Sequence, residues 1–248
     1  KHCRCDESGM DNTPRFDHFD RMDCVDFSCY MANEARCMAR IAGLLGKEPA
    51  EIEYWNGLYR DIRQAINDVL WDEEDGFYYD RILASHDFRR VKAVSGFLPL
   101  FAGICDQRQA EKLAEHLSDR NSFYLKMPVP SVARNDPHFD NHMWRGAVWV
   151  NYNDLIAAGL RAYGYDTLAA DIVRRTVQAI TQWYLQEGCL FECYDGDGIS
   201  SPRRFGRKGP PVEPYDFSIR MQTIRDYGWT ASLYADLVLS QRELFQRK

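Results

Sequence analysis

The sequence lacks any apolar run of the roughly 20 residues that a helix needs to cross a bilayer, so it offers no membrane span. It also lacks a basic stripe. Its 31 Lys and Arg are interspersed with 37 Asp and Glu for a net charge of −6, which argues against nucleic acid as a partner. The N-terminus, Lys1-His2-Cys3-Arg4-Cys5, has neither the apolar segment of a signal peptide nor an initiator Met, and a motif follows at once. The chain is therefore expected to be the C-terminal part of something longer. His2, Cys3 and Cys5 have no second pair at zinc-finger spacing, so no metal or other cofactor is expected. No repeat of fixed residue period is visible, and almost no segment reads as a strand.

Cysteine is not scarce, with eight residues: Cys3, Cys5, Cys24, Cys29, Cys37, Cys105, Cys189 and Cys193. A chain of 248 residues with 45% hydrophobic residues can bury a core without disulfide staples. Free thiols in a reducing compartment, the cytoplasm, are the expectation.

Seven segments carry helical signals. The first, 23–46, places Met31, Ala35, Met38, Ala42 and Leu45 on one face, with Gly46 as its stop. The second opens with Pro49 in its first turn and carries a stripe of Ile52, Trp55, Tyr59, Ile62, Ile66 and Val69. Short helices follow at 93–104, interrupted by Pro99, and at 107–118, with Ala110, Leu113, Ala114 and Leu117 inward. Longer ones follow at 145–163 and 166–187, the latter stopping at Gly188, and a last helix spans 227–246. Residues 76–92 offer a short extended piece at best. Two stretches are too long for plain connections: 119–143, with Met127-Pro128 and Val129-Pro130, and the Gly- and Pro-rich 189–226. The basic run Arg203, Arg204, Arg207, Lys208 reads as a solvated face.

The chain is organised around Asp6-Glu7-Ser8-Gly9-Met10-Asp11-Asn12-Thr13-Pro14-Arg15-Phe16-Asp17. Gly9 permits a φ that other residues resist, and Pro14 drives Thr13 out of the α region. The segment reads as an ordered loop on a rigid scaffold, where catalytic groups usually sit.

This loop closely resembles the acid-bearing loop of glycoside hydrolase family 63 and its bacterial relatives, which include hydrolases of glucosyl- and mannosylglycerate. Two further segments resemble the same family. One is Met143-Trp144-Arg145-Gly146-Ala147-Val148-Trp149-Val150-Asn151-Tyr152-Asn153, with Ala147 where proline is usual. The other is Leu190-Phe191-Glu192-Cys193-Tyr194. The resemblance implies an all-α (α/α)6 toroid. Residues 1–248 would supply the C-terminal portion of one catalytic domain, about seven of its twelve helices, and the missing N-terminal half of that domain would be the chain's partner.

The resemblance also implies an inverting α-glycosidase acting on a short gluco- or manno-saccharide or a glycosylglycerate. Asp11 would be the general acid and Glu192 the general base. An inverting pair stands about 6.5–9.5 Å apart, with a water between base and sugar. Asp11 must then hold a proton near neutral pH, through partial burial or a neighbouring carboxylate such as Glu7 or Glu192. Asp195, Asp197 and Glu213 are rivals for the base, although Asp195-Gly196-Asp197-Gly198 looks like an ordinary turn. Substrate contacts are expected at Gly9, Met10, Phe16, Trp144, Arg145, Asn151 and Trp229. Trp144 would be a flat platform for a pyranose and Arg145 a fork of donors, while Val148 and Trp149 belong to the core. Two alternatives remain: a trehalase-like hydrolase on the same barrel, and a truncated, non-catalytic carbohydrate-binding toroid.

Overall fold

The computed structural model describes residues 2–3, 7–18, 21–207 and 223–245. Among them are seven α-helices: α1 (Val25–Leu44), α2 (Pro49–Leu70), α3 (Leu98–Ala102), α4 (Gln107–Ser118), α5 (Val150–Ala162), α6 (Asp166–Glu187) and α7 (Gly228–Ser240). They pack as an arc of hairpins. α1 lies against α2 and α3, α3 against α5, and α5 against α6 and α7. The arc is an incomplete (α/α)6 toroid.

The stop and start signals act as their chemistry requires. Gly46 and Gly188 adopt left-handed backbone just past the ends of α1 and α6. Pro49 takes the first turn of α2, where its missing N–H costs nothing. α4 opens with a capping box, in which Asp106 accepts from the Gln109 N–H and the Gln109 side chain accepts from the Asp106 N–H. Its expected inward residues, Ala110, Leu113, Ala114 and Leu117, are all buried, as are Ile172, Ile180 and Trp183 of α6.

Several expectations are corrected. α1 buries Ala32, Ala35, Ala39 and Ala42, whereas Met31 and Leu45 are exposed. The small side chains let its neighbours approach, and the buried face is turned from the one carrying the long side chains. The α2 stripe is only partly covered: Ile66 is buried, Ile52, Trp55, Tyr59 and Ile62 are half-buried, and Val69 is exposed. A cavity of about 330 Å³ opens between α1 and α2, walled by Met31, Ile62, Ile66 and Val69. Leu44, 79% exposed, extends the apolar surface at the end of α1. Pro99 sits in the first turn of α3 and starts the helix, after a 3-10 turn over Val94–Phe97. α5 begins at Val150, because Gly146 is in a turn, Val148 pairs with Pro130 and Tyr194, and Trp149 is extended.

Strand is also present where little was expected. Six short strands occur among the described residues: β1 (His2–Cys3), β2 (Met22–Asp23), β3 (Trp71–Asp72), β4 (Phe77–Tyr78), β5 (Asp80–Ile82) and β6 (Phe88–Arg89). They form an antiparallel sheet ordered β1-β2-β5-β6 and a β3-β4 hairpin. Each strand is only two or three residues long, too short for alternation to register in sequence.

Cys24 is disulfide-bonded, which corrects the expectation that the thiols are all free. Cys29, Cys37, Cys105, Cys189 and Cys193 are free. No helix among the described residues is long and apolar enough to cross a membrane.

Candidate active site

The three sequence segments singled out meet on one face of the arc. A chain of single-residue antiparallel bridges assembles that face: Ala93 with Val132, Pro130 with Val148, Val148 with Tyr194, and Phe191 with Arg225. Ser131 reinforces it, donating its N–H to the Ala147 carbonyl at 3.0 Å and accepting from the Gly146 N–H at 2.9 Å through its hydroxyl. Gly146 is required by this crowding. A Cβ there would come within 2.6 Å of the Phe139 ring and 2.8 Å of the Asn141 nitrogen. Val129 and Met143, both in these loops, hold left-handed φ values of 62° and 47°. Such strain costs on the order of 1–3 kcal/mol per residue and tends to gather at functional sites.

The acid loop is fastened to the same strip. The Trp144 N–H donates to Asn12 Oδ1 at 2.9 Å. Arg145 donates two parallel bonds to Asp17, at 3.0 and 2.7 Å, and a third to the Asn12 carbonyl. The Arg145 hydrogen bonds hold the Asp17 carboxyl below its usual range. Within the loop, the Thr13 N–H bonds to the Met10 carbonyl at 2.9 Å, closing a turn with Asp11 and Asn12 at its centre. Asp11 is exposed, so partial burial, one of the two arrangements expected for it, is not found.

Glu192 is only 2% exposed. Arg207 Nε donates to both its oxygens, at 2.9 and 3.1 Å, and the Ile224 N–H donates to Oε2 at 3.0 Å. The cation and the N–H compensate the carboxylate for the water it has lost. Oε2 thus accepts two bonds and Oε1 one, which leaves Oε1 a lone pair among the described contacts. Burial pushes the Tyr227 phenol up, and the charge of Glu192 adds to the rise.

Two of the three rivals are engaged elsewhere. Asp195 is buried, and each of its oxygens accepts two bonds: Oδ1 from Asn141 Nδ2 and the Asp197 N–H, Oδ2 from the Ile199 and Ser200 N–H groups. With its lone pairs committed, it serves the turn. Asp197 pairs with Arg134. Glu213 lies outside the described residues, as does Lys208.

Beside these loops lies a cavity of about 290 Å³, lined by Ser8, Gly9, Tyr30, Trp144, Asn151, Tyr152, Asp154, Leu155, Trp229 and Leu233. Four residues expected at the substrate, Gly9, Trp144, Asn151 and Trp229, share it. The two tryptophans differ in exposure. Trp144 is 3% exposed and stacks on Trp149 at 3.7 Å between ring centroids, so one of its faces is committed to the core. Trp229, 46% exposed, presents the more open aromatic surface in the cavity. Met10 and Phe16, expected at the substrate, turn inward instead. Met10 joins the main core, and Phe16 packs with Met22 and Cys24.

Residues 3–230 match the model of the mannosylglycerate hydrolase MGH1-like glycoside hydrolase domain. The chain belongs to this family. Among its relatives, a mannosylglycerate hydrolase of Rubrobacter radiotolerans is 34% identical over 230 residues, 88% of this chain and 46% of the relative. A crystal structure of the GH63 mannosylglycerate hydrolase from Thermus thermophilus, in complex with Tris and D-glycerate, superposes with a TM-score of 0.66 at 30% identity, covering 90% of this chain and 46% of that one. Neutral trehalase from Saccharomyces cerevisiae superposes at 0.71 over 96% of this chain and 42% of its own, but at 18% identity this likeness shows the fold alone. The chain spans about half the length of these relatives.

For this MGH1-like domain, sequence reasoning missed Arg207, Tyr227 and the groups beneath the acid loop. Arg207 was hidden in a basic run whose other described members, Arg203 and Arg204, are indeed exposed. Cys24, Asp26 and Asp80 bring potential ligand atoms within 4.8 Å of one another. The disulfide removes the Cys24 thiolate, however, and Arg15 already occupies both carboxylates, so the cluster does not suit a metal.

Proposed function

We propose that the full-length protein is an inverting α-glycosidase that cleaves a glycosylglycerate or a related short α-linked gluco- or mannoside. In this reading Asp11 protonates the leaving oxygen, and Glu192 takes a proton from the water that attacks the opposite face of the sugar. The observation that supports it most is the common anchorage of the two carboxylates. The Asp11 loop is tied to Trp144 and Arg145, the Glu192 loop is bridged through Tyr194 to Val148, and both segments belong to one continuous strip. Trp229, at the rim of the cavity, offers a face for a pyranose ring. The relatives named for mannosylglycerate make a glycosylglycerate the first substrate to try. The N-terminal half of the domain is proposed to complete the toroid over the apolar surfaces of α1 and α2.

The test is turnover of α-mannosyl- and α-glucosylglycerate by the full-length protein, with proton NMR recording which anomer appears first. The β-anomer is expected. Asp11→Asn and Glu192→Gln should each lower kcat by roughly 10²–10⁴-fold with the fold retained. Turnover of trehalose in preference to the glycerates would favour the trehalase-like alternative. Retention of the α-anomer, or near wild-type turnover by both variants, would defeat the proposal.

A further inference from the structure

Beneath the acid loop lies a buried ionic cluster that the chemistry above does not use. Arg15 is 1% exposed. Its guanidinium has five N–H donors, and all five are engaged. Nε and Nη2 donate to the two oxygens of Asp80, at 2.6 and 3.0 Å. Nη1 and Nη2 donate to the two oxygens of Asp26, at 2.6 and 3.1 Å. The fifth bond runs from Nη1 to Met10 Sδ at 3.4 Å. The carboxylates are themselves anchored. Asp80, on β5, accepts from the Val25 N–H at the start of α1, and Asp26, in the first turn of α1, accepts from the Phe27 N–H. A single side chain therefore joins the loop to a helix terminus and to the sheet.

Arg15 also touches both ends of the turn that carries Asp11. The turn runs from Met10 to Thr13. Met10 Sδ accepts from the guanidinium at one end, and Thr13 Oγ1 accepts from the Arg15 N–H at the other. On the far side of Arg15, Arg89 donates to the carbonyls of Pro14 and Arg15, at 2.7 and 3.0 Å. Burying one cation between two carboxylates is a costly way to hold a loop if burial of apolar surface would serve. What the planar fork supplies is direction. It fixes two carboxylates bidentately at once, and the backbone that leaves it is fixed with them.

We propose that Arg15, held by Asp26 and Asp80, is the positioning residue that aims Asp11 at the leaving-group oxygen. The inference rests on the reading of Asp11 as general acid, and its test separates the two. Proton donation matters for an alkoxide leaving group, such as that of glycerate. It matters far less for fluoride or 2,4-dinitrophenolate, which depart without a proton. A residue that only stabilises the fold would affect both kinds of substrate alike.

The experiment compares full-length wild-type protein, Asp11→Asn, Arg15→Lys, and a combination of Arg15→Gln, Asp26→Asn and Asp80→Asn. The combination leaves no buried charge unpaired if the lysine variant does not fold. Each is assayed on a glycosylglycerate and on the matching α-glycosyl fluoride, with melting temperature recorded in parallel. Arg15→Lys keeps the charge but cannot hold both carboxylates bidentately. It should lose roughly 10²-fold in kcat on the glycerate, the scale expected of a misplaced catalytic group. Its kcat on the fluoride should stay within about 5-fold of wild type, and KM should be little changed. Equal losses on the two substrates, or no loss on either, would overturn the positioning role while leaving Asp11 as the acid. If Asp11→Asn itself showed no leaving-group dependence, the acid assignment would fail first and the role of Arg15 with it.

Discussion

The stack of Trp144 on Trp149 sets a measurable coupling between two residues that the sequence assigned to different jobs. The rings lie 3.7 Å apart at 4° between planes, Tyr152 meets Trp144 edge-on, and Trp149 Nε1 donates to the Met143 carbonyl at 3.0 Å. Removing a buried tryptophan side chain costs about 3–5 kcal/mol, so Trp149→Ala should sit near 4 kcal/mol. For a domain of this size each kcal/mol moves Tm by about 2–4 °C, which places the expected fall at roughly 8–16 °C. Trp149→Phe keeps most of the apolar surface and removes the indole N–H. The Met143 carbonyl retains a long bond from the Ser131 hydroxyl at 3.4 Å. The cost should therefore be near the low end for a buried group left short of a partner, about 1 kcal/mol.

Because Trp144 is itself buried, Trp144→Ala should be destabilising too, and it should also alter KM, since Trp144 lines the cavity and Trp149 does not. Urea unfolding of Trp144→Leu, Trp149→Leu and the double variant gives the coupling, expected at about 0.5–1.5 kcal/mol. Strictly additive single variants, or a Trp149→Phe midpoint equal to wild type, would show that the stack and the indole bond do not carry the strip.

Two further outcomes follow from buried groups away from this stack. Asp195→Ala should lower stability by roughly 2–4 kcal/mol, because it strands the three backbone N–H groups that the carboxylate caps; equilibrium unfolding would detect it, and an unaltered midpoint would refute the capping role. Burial pushes the His116 imidazole pKa below its ordinary value, so the unfolded chain binds the proton first; stability should fall as pH drops below about 6.5, and His116→Gln should flatten that limb of a Tm-against-pH curve.

The helices were legible where a single residue type punctuates or periodicity is strong. Gly46, Pro49 and Gly188 mark ends by backbone chemistry alone, and the inward residues of α4 follow from spacing. Burial on α1 and α2 was not legible, because a sequence pattern says which face is apolar but not which neighbours are there to cover it. The site was readable as three motifs, since each concentrates unusual residue types. Their mutual fastening was not, because the bonds of Asn12 to Trp144 and of Arg15 to Asp80 join positions far apart in the chain and leave no local trace. Arg207 illustrates the limit most plainly. In sequence it is one cation among several, and only the buried Glu192 beside it distinguishes it.

The face that carries the two carboxylates has a modular consequence. A continuous sheet would oblige neighbouring segments to keep register over many residues, so that an insertion in one strand would displace every rung beyond it. Here each segment is pinned at only one or two positions: Pro130 and Val132, Val148, Phe191 and Tyr194, or Arg225. The chain on either side of a pin can lengthen, at about 0.6 kcal/mol for each doubling of a flexible loop, while the pinned residue stays where it is. Such a chain can therefore reshape the rim of the cleft while the spacing of the loops that carry Asp11 and Glu192 is left alone.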